Sequence, residues 1–529
     1  MRRRPGPRLP RLPAAALRIT AALLLSLSSF AIGRAAGGRA PALRYLVIIV
    51  MDGFRPDYMA LAPMRHLHSL MRSGTTFTDA WVGQLETETP TGHATIVTGV
   101  YPRKHGVIGF GWRGPTGAFT WIPTDLRQLD AGDMESLIEA GGVPTLSDLL
   151  HRAYPGAKSA SLSGEKYYAA DAMGTGADYV LYGKRVGRNQ DRGLLATPIG
   201  SHIPPSSTHY QAADTTDPPY PEVQDQFVAR LAVRLLQTVR PRMMLINLPG
   251  SDIQGHLSGG LYSLSRVKTV VAGVDRAIGV ILDGYRKAGL YGNTDFVVTA
   301  DHGMVPSTHI VPREQMYSAV RATNAPALEE DFLTTAGYLY LRDAAQAPSV
   351  AARLAAQRFP GVEGAIYRSP SGSGCAAEES TARTLGPGLT RAYIDLCDTI
   401  AAPSGPEVVL PYAEDSMGLV VPGSRHWGNH GGLSWRVQHI PLVLSGPGVK
   451  AARSAFPAEL VDIAPTVERL LALPIPSGVD GVVLAGALAR PSGADWTGWR
   501  SVDASRSQDV AALRAHSLAQ HGAVLASDN

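Results

Sequence analysis

The stretch Leu43-Arg44-Tyr45-Leu46-Val47-Ile48-Ile49-Val50-Met51-Asp52-Gly53 decides the reading of the fold. It is almost continuously apolar from Leu43 to Met51, is rich in β-branched residues, and stops at an Asp-Gly pair. A short apolar run without polar alternation predicts a strand buried on both faces of a parallel sheet, delivering Asp52 at its carboxyl end. Two later runs repeat the pattern. Phe296-Val297-Val298-Thr299-Ala300 leads into Asp301-His302, and Met243-Met244-Leu245-Ile246-Asn247 leads into a loop holding Asp252. Helical patterns lie around them at Arg65 to Met71, Val143 to Tyr154, Val223 to Thr238 and Leu264 to Lys287. Strands alternating with helices predict an α/β fold with a doubly wound, mostly parallel sheet, and ligands in such sheets bind beyond the strand carboxyl ends.

Four fragments gather at or near those ends: Met51-Asp52-Gly53, Ser251-Asp252-Ile253-Gln254-Gly255-His256, Asp301-His302-Gly303 and Asn429-His430-Gly431-Gly432. They supply the carboxylates Asp52, Asp252 and Asp301 and the imidazoles His256, His302 and His430, a mixture suited to a pair of zinc-like dications. Asp252 and His256 are four apart, so one helical turn puts both on one face. Taken singly, an Asp-Gly after a strand is usually a turn and an Asp-x-x-x-His is usually surface chemistry; the four together carry the functional reading. A fifth fragment, Glu88-Thr89-Pro90-Thr91-Gly92-His93, offers a hydroxyl that a metal or base can activate. Thr89 precedes the helix-like run Ala94 to Val97, where a helix N-terminus favours an alkoxide or a phosphate. A simple N-cap threonine is the competing reading, and Thr87 and Thr91 are rivals on composition.

Residues 1–36 read as a signal peptide. Arg2, Arg3, Arg4, Arg8, Arg11, Arg18 and Arg34 come without any acid, an apolar stretch runs from Ile19 to Ile32, and Ala35, Ala36 and Gly37 follow. The apolar stretch is short and serine-rich for a membrane span, so an uncleaved anchor is the lesser reading. The expected location is secreted or periplasmic, with no stable membrane span after cleavage. The formal net charge is +4, and removing the seven leader arginines leaves −3. The basic balance therefore belongs to the leader and gives no support to nucleic-acid binding. In an exported chain Cys375 and Cys397 are expected to pair, the alternative being two buried thiols.

About 490 residues remain after the leader, which predicts one large core with an insertion. The core is assigned to 41–310 and 411–487. Residues 311–410 interrupt the alternation, are rich in Ala, Pro, Gly and Ser, and hold both cysteines, so they are assigned to a small inserted cap. Gly106 to Tyr154 and Gly183 to Pro221 read as irregular loops. The tail, 488–529, has one helical stretch from Gln508 to Gln520 and no assigned function.

Asp52 after an opening strand, Thr89-Pro90-Thr91-Gly92-His93 with Thr98-Gly99-Val100-Tyr101-Pro102 and His105-Gly106, then Asp252 with His256, Asp301-His302-Gly303 and His430-Gly431-Gly432 resemble the alkaline phosphatase superfamily. The nearest branch is the type I phosphodiesterase/nucleotide pyrophosphatase group, and Val461-Asp462-Ile463-Ala464-Pro465-Thr466 with Gly478-Val479-Asp480-Gly481 resembles that fold's closing element. The resemblance runs from about residue 43 to 487. It implies one metal held by Asp252, His256 and His430, and a second held by Asp52, Asp301 and His302 with the Thr89 oxygen. It implies two Zn2+, with other divalent metals also suited, and Thr89 as a nucleophile that becomes phospho-threonine. His93 and His105 fit the pattern as structural residues, and His426 is given no role.

Substrate choice is where the chain departs from its relatives. Many place an asparagine 21 positions after the threonine; here that position is Phe110. Nucleotide pyrophosphatases often place an aromatic residue directly after the threonine; here it is Pro90. Monoesterase-like members carry Lys-x-Arg; Ser163-Gly164-Glu165-Lys166-Tyr167-Tyr168 keeps Lys166 as a phosphate contact but has Tyr168 in the arginine position, and a plain surface lysine is the other reading. The sulfatase Cys/Ser-x-Pro-x-Arg signature is absent. The expectation is an exported two-zinc hydrolase of small phosphate esters, favouring diesters or pyrophosphates, with nucleotides as the one kind of nucleic-acid component it would meet. A phosphomonoesterase is the second reading. A non-catalytic or phosphoryl-transferring binder of phosphorylated envelope components is the third.

Overall fold

The structure, a computed structural model, describes residues 44–114, 116–121, 132–186, 193–199, 209–211, 222–259, 264–306, 309–372, 374–418 and 428–521. The expected signal peptide lies outside the described residues, as does His426. Residues 44–529 form one compact unit.

A ten-stranded sheet organises this unit. Its strands are β1 (Tyr45–Met51), β2 (Thr75–Phe77), β3 (Ser159–Leu162), β4 (Tyr179–Val186), β5 (Gly193–Pro198), β6 (His209–Gln211), β7 (Met243–Leu248), β8 (Thr294–Thr299), β9 (Leu442–Ser445) and β10 (Ala452–Ser454). Their order across the sheet is β10-β2-β9-β8-β1-β7-β3-β4-β5-β6. The centre is parallel: β8, β1, β7, β3 and β4 run the same way. Leu46 to Met51 are fully buried, which is why β1 carries no polar alternation. The register lines up three strand ends, pairing Val50 with Thr299 on one side and Met51 with Leu248 on the other. Asp52, the turn before Asp252, and Asp301 therefore leave the sheet along a single edge.

Of the helices, five matter below: α1 (Thr89–Thr98), α2 (Tyr167–Gly174), α3 (Glu222–Thr238), α4 (Gly250–Ser258) and α5 (Leu264–Lys287). The buried residues Phe227, Leu231 and Leu235 of α3 and Val274, Ile278 and Ile281 of α5 join the strands in one apolar core. Burying each such side chain contributes about 1.5–3 kcal/mol.

Two segments expected to be irregular are more ordered than their sequence suggested. From Gly183 onward the chain completes β4 and then adds β5 and β6, antiparallel, to one edge of the sheet. Between Gly106 and Tyr154 it forms a hairpin, Gly111–Arg113 with Phe119–Trp121, and the helix Asp133–Ala140, ahead of the helix Leu146–Ala153 that the pattern from Val143 to Tyr154 predicted. Strands this short show too little periodicity to be read, and antiparallel neighbours need no crossover helix to announce them.

The stretch assigned to an insertion holds a second, five-stranded antiparallel sheet, ordered Ala327–Asp331, Ala336–Leu341, Val408–Pro411, Ile366–Arg368, Cys375–Ala377. It has its own apolar cluster, including Met316, Phe332, Leu339, Leu354 and Leu410. Cys375 and Cys397 form a disulfide between its edge strand and the following helix. In the tail, a single helix α6 runs from Gly493 to His521, fifteen residues earlier than the expected start at Gln508. Ser492 and Asp495 cap its start reciprocally. Its anchors are rings and charges rather than an aliphatic stripe: Trp499 stacks on Phe456 at 3.7 Å, and the buried Arg506 meets Asp462 at 2.7 Å and Glu459 at 2.9 Å. That is why aliphatic periodicity revealed only its second half.

One buried histidine gives this core a sharp acid dependence. The His105 ring stands 3.0 Å from the Thr95 hydroxyl through Nε2, while its Nδ1 accepts the Val107 N–H at 3.2 Å. Protonating Nδ1 would set two donors face to face, and burial pushes the ring down to about 3. The unfolded chain binds a proton on this ring near pH 6.5 and the folded chain does not. Its contribution is therefore complete above pH 6.5 and is lost as pH falls toward the folded value, at about 1.4 kcal/mol per pH unit. Urea unfolding of the parent and of His105→Gln between pH 6 and 4.5 should differ in slope by that amount; parallel slopes would contradict the assignment.

Candidate active site

The three strand ends deliver three carboxylates to one place. Asp52 follows β1, and Asn247 at the end of β7 donates to its Oδ2 at 2.9 Å. Asp252 and His256 sit one turn apart on α4. Asp301 follows β8, and its Oδ1 accepts the backbone N–H of Gly53 at 3.1 Å and of His302 at 3.0 Å. Gly53 has a φ of +64°, and a Cβ there would stand 2.9 Å from Cβ of Asp252. Only glycine lets the β1 turn come this close to α4. His430 arrives from much later in the chain. Its approach is fixed by a two-stranded ladder in which Asn429 pairs with Val305, just beyond His302.

Each expected imidazole is aimed by its other nitrogen. Nδ1 of His256 lies 2.9 Å from the Gly428 carbonyl, Nδ1 of His302 2.8 Å from that of Gly303, and Nδ1 of His430 2.8 Å from that of Thr87. A ring nitrogen facing a carbonyl donates, so each ring in its neutral form turns a bare Nε2 lone pair toward the carboxylates. Burial opposes a charge on His256, but the Asp252 carboxylate outweighs it and raises that ring above its ordinary value. His256 Nε2, His430 Nε2 and Asp252 Oδ1 form a triangle with sides of 3.2, 3.4 and 3.4 Å. His302 Nε2 stands 3.4 Å from Asp301 Oδ2 and 3.6 Å from Asp52 Oδ1. Asp252, His302 and His430 form one buried group able to hold a metal ion, and Asp52, Asp301 and His302 form another. His302 belongs to both. Asp252 Oδ1 and Asp301 Oδ2 are buried and receive no hydrogen bond. Facing lone pairs and orphaned carboxylate oxygens are costly when buried, and electrophilic cations would satisfy both. The donor set of imidazole nitrogen and carboxylate oxygen suits zinc.

Electrostatics follow from the crowding. Burial, and then repulsion from Asp52, pushes the Asp301 carboxyl up to about 8. Burial, and then the neighbouring His302, pushes His430 down to about 3. Burial works against the charge on Asp252, but His256 and Lys166 outweigh it and hold the carboxylate well below its usual range. Burial likewise opposes the charge on Lys166, and Asp252 and Asp52 overcome it and push the ammonium well above its ordinary value.

Thr89 is the first residue of α1, and Glu88 is the cap residue. The N-cap reading of Thr89 therefore does not apply. Its hydroxyl lies 3.2 Å from Lys166 Nζ and 3.4 Å from His302 Nε2. Lys166, which on sequence had a surface alternative, is buried and bridges Asp52 Oδ1 at 2.8 Å and Asp252 Oδ2 at 2.6 Å. Thr87 faces away, accepting the backbone N–H groups of Gly431 and Gly432 at 2.9 Å each. Thr91 accepts the Gly109 N–H at 2.7 Å. The two compositional rivals are thus engaged elsewhere.

His93, read on sequence as structural, and two residues that sequence reasoning passed over support this centre. His93 Nδ1 donates to the Thr89 carbonyl at 2.7 Å, bracing the first turn of α1, and stands 3.4 Å from Asp301 Oδ2 without bonding it. The buried first turn of α3 reaches two arms of the site. Asp225 Oδ1 accepts the Gly250 N–H at 2.8 Å at the start of α4. Gln224 accepts the Glu165 N–H at 2.8 Å and donates to the Glu165 carboxylate at 2.9 Å, next to Lys166. Buried polar residues at a helix start were the available signal, but nothing in the sequence said what they would face.

Comparison with known proteins gives a consistent picture. Residues 46–369 match the family model for type I phosphodiesterase/nucleotide pyrophosphatase. An uncharacterised pyrophosphatase/phosphodiesterase of Schizosaccharomyces pombe is 23% identical over 263 residues, covering 50% of this chain and 45% of that protein. Human ectonucleotide pyrophosphatase/phosphodiesterase family member 5 is 23% identical over 273 residues, covering 50% and 46%. The chain thus spans just under half the length of these two relatives. In fold, it resembles murine ectonucleotide pyrophosphatase/phosphodiesterase 5 with a TM-score of 0.55, at 17% identity over 82% of this chain and 96% of that one. It resembles the alkaline phosphatase PafA with a TM-score of 0.62, at 16% identity over 85% and 100%.

The Asp225 contact is open to direct test. Asp225→Leu leaves the Gly250 N–H buried without an acceptor, at a cost of about 1–3 kcal/mol. Asp225→Asn keeps a side-chain oxygen there and should lie closer to the parent in thermal unfolding. Equal melting temperatures for the leucine variant and the parent would show that this bond does not hold α4.

Proposed function

The chain belongs to the type I phosphodiesterase/nucleotide pyrophosphatase family, and we propose that it is an exported hydrolase of phosphoric esters, acting on diesters or pyrophosphates through Thr89. The observation that carries this reading is the position of the Thr89 hydroxyl at the start of α1, 3.2 Å from Lys166 and 3.4 Å from His302, beside three buried carboxylates. In this reading Asp252, His256 and His430 hold one dication, and Asp52, Asp301 and His302 hold the other with the Thr89 oxygen. When bound, two such ions supply Lewis-acid activation of a hydroxyl and neutralise charge on the phosphoryl oxygens. Export is supported by the leader sequence; no helix among the described residues is long and apolar enough to cross a membrane.

The chain's own groups divide the work. Thr89 Oγ1 gives up its proton and attacks phosphorus, and the leaving ester oxygen departs in line and takes up a proton, giving a phospho-threonine. Water then attacks the same phosphorus, losing a proton, and the threonine oxygen leaves and regains one. The positive end of α1 favours the negative charge that develops on Thr89 and the phosphoryl group. Lys166 reaches the Thr89 oxygen and is positioned to meet a phosphoryl oxygen as well. His256, His302 and His430 keep their Nε2 atoms directed inward through bonds to backbone carbonyls. Support for the nucleophile also comes from a relative: a threonine-to-alanine variant of the murine protein is described as inactive and holds AMP. Phosphomonoester hydrolysis is the second reading, and the ammonium of Lys166 beside Thr89 favours it. Phe110 and Tyr168 weigh against it, because neither side chain presents a cation or an amide donor to a second phosphoryl charge.

Thr89→Ala should lower turnover of bis(4-nitrophenyl) phosphate by about 10³-fold or more while thermal unfolding stays near that of the parent. Retained turnover would remove Thr89 as the nucleophile. The parent should hydrolyse this diester faster than 4-nitrophenyl phosphate; a large preference for the monoester would move the chain to the second reading.

A further inference from the structure

Two half-buried rings flank the Thr89–Lys166 pair without contributing to it. Phe110 and Tyr168 meet edge to face, with centroids 4.9 Å apart and planes at 86°. The aromatic surface continues from Tyr168 to Tyr167 at 5.3 Å and from Tyr167 to Tyr182 at 5.9 Å. Both leading rings are anchored to the reacting groups by short lengths of backbone. Phe110 donates its N–H to Glu88 Oε2 at 2.8 Å, and the preceding Gly109 donates to Thr91 Oγ1 at 2.7 Å, so the turn is bonded to residues on either side of Thr89. Tyr168 lies in the first turn of α2, two residues after Lys166, whose Nζ stands 6.0 Å from its ring centroid. A phosphoryl group at Thr89 therefore meets one ammonium and, close by, aromatic carbon.

The chemistry of those neighbours restricts what the phosphoryl group can carry. A free phosphoryl oxygen turned toward the ring faces would lose its water and meet no cation and no amide, with the Tyr168 hydroxyl as the one donor the two rings carry. An organic ester group turned the same way loses nothing and packs on the faces and edges that the T-shaped pair presents. The corner is also tied directly to Thr89 and Lys166, so it can reach a group bonded to the ester oxygen itself rather than one carried out on a sugar. We propose that Phe110 and Tyr168 form a subsite for the retained ester group of a phosphodiester, selecting an aryl group attached directly through the ester oxygen. This rests on the Thr89 hydrolase reading and adds the substrate class to it.

Phenyl 4-nitrophenyl phosphate and methyl 4-nitrophenyl phosphate share a leaving group and differ only in the retained ester. The zinc-loaded full chain should prefer the phenyl ester by about tenfold in kcat/KM. Phe110→Ala and Tyr168→Ala should each bring the ratio toward one, and Phe110→Tyr, which keeps a ring, should preserve it. No preference in the parent, or an undiminished one in both alanine variants, overturns the subsite. A binding measurement separates this outcome from failure of the hydrolase reading. By calorimetry, the Thr89→Ala variant should bind phenylphosphonate about tenfold more tightly than methylphosphonate, and adding Phe110→Ala should abolish the difference. If neither ester turns over but this ratio holds, the subsite stands without the hydrolase; equal affinities for the two phosphonates overturn it.

Discussion

Asp52, Asp252 and Asp301 leave the edge of one sheet and converge in a buried space where, among the described residues, Lys166 is the only lysine or arginine within ion-pair reach of them. Mutual repulsion among such groups is strong once water is excluded. It shows in the Asp301 carboxyl, which burial and Asp52 together push up to about 8. The rest of the centre can be understood as what is needed to hold that arrangement. The parallel register fixes the strand ends, Gly53 lets the β1 turn approach α4, and backbone carbonyls turn three imidazoles inward. In the proposed reading the remaining charge is met by two dications, and their surplus positive field then serves an anionic substrate.

A site assembled this way needs support from behind. The first turn of α3 is buried and polar, and its Gln224 and Asp225 reach the Lys166 loop and the start of α4 respectively. The spacing between Lys166 and Asp252 is thus set by one rigid helix end. His93 braces the first turn of α1 through the Thr89 carbonyl. The same logic extends to the pocket. Phe110 is bonded through its backbone to Glu88, so the wall that faces the substrate and the helix that carries Thr89 move as one body.

What could be read from the sequence followed from how strongly each residue is constrained. β1, β7 and β8 are buried on both faces, so their apolar runs announced them, and the acids at their ends announced the centre. The four-residue spacing of Asp252 and His256 needed only a helical turn. Short antiparallel strands such as Gly193–Pro198 left no such trace, because their pairing is decided by neighbours far away in sequence. The tail helix was half legible because Trp499 and Arg506, not an aliphatic stripe, fasten it. The edge-to-face contact between Phe110 and Tyr168 was also hidden. Both had been marked as departures from the family pattern, but nothing in the sequence indicated that they would touch.

The central claim is that two cations occupy the buried carboxylate and imidazole cluster, and zinc anomalous diffraction from crystals of the zinc-loaded protein tests it most directly. The account predicts two strong peaks about 4 Å apart, one bonded to Asp252, His256 and His430 and the other to Asp52, Asp301 and His302, with the Thr89 oxygen beside the second. A single peak, or none among these residues, would contradict it.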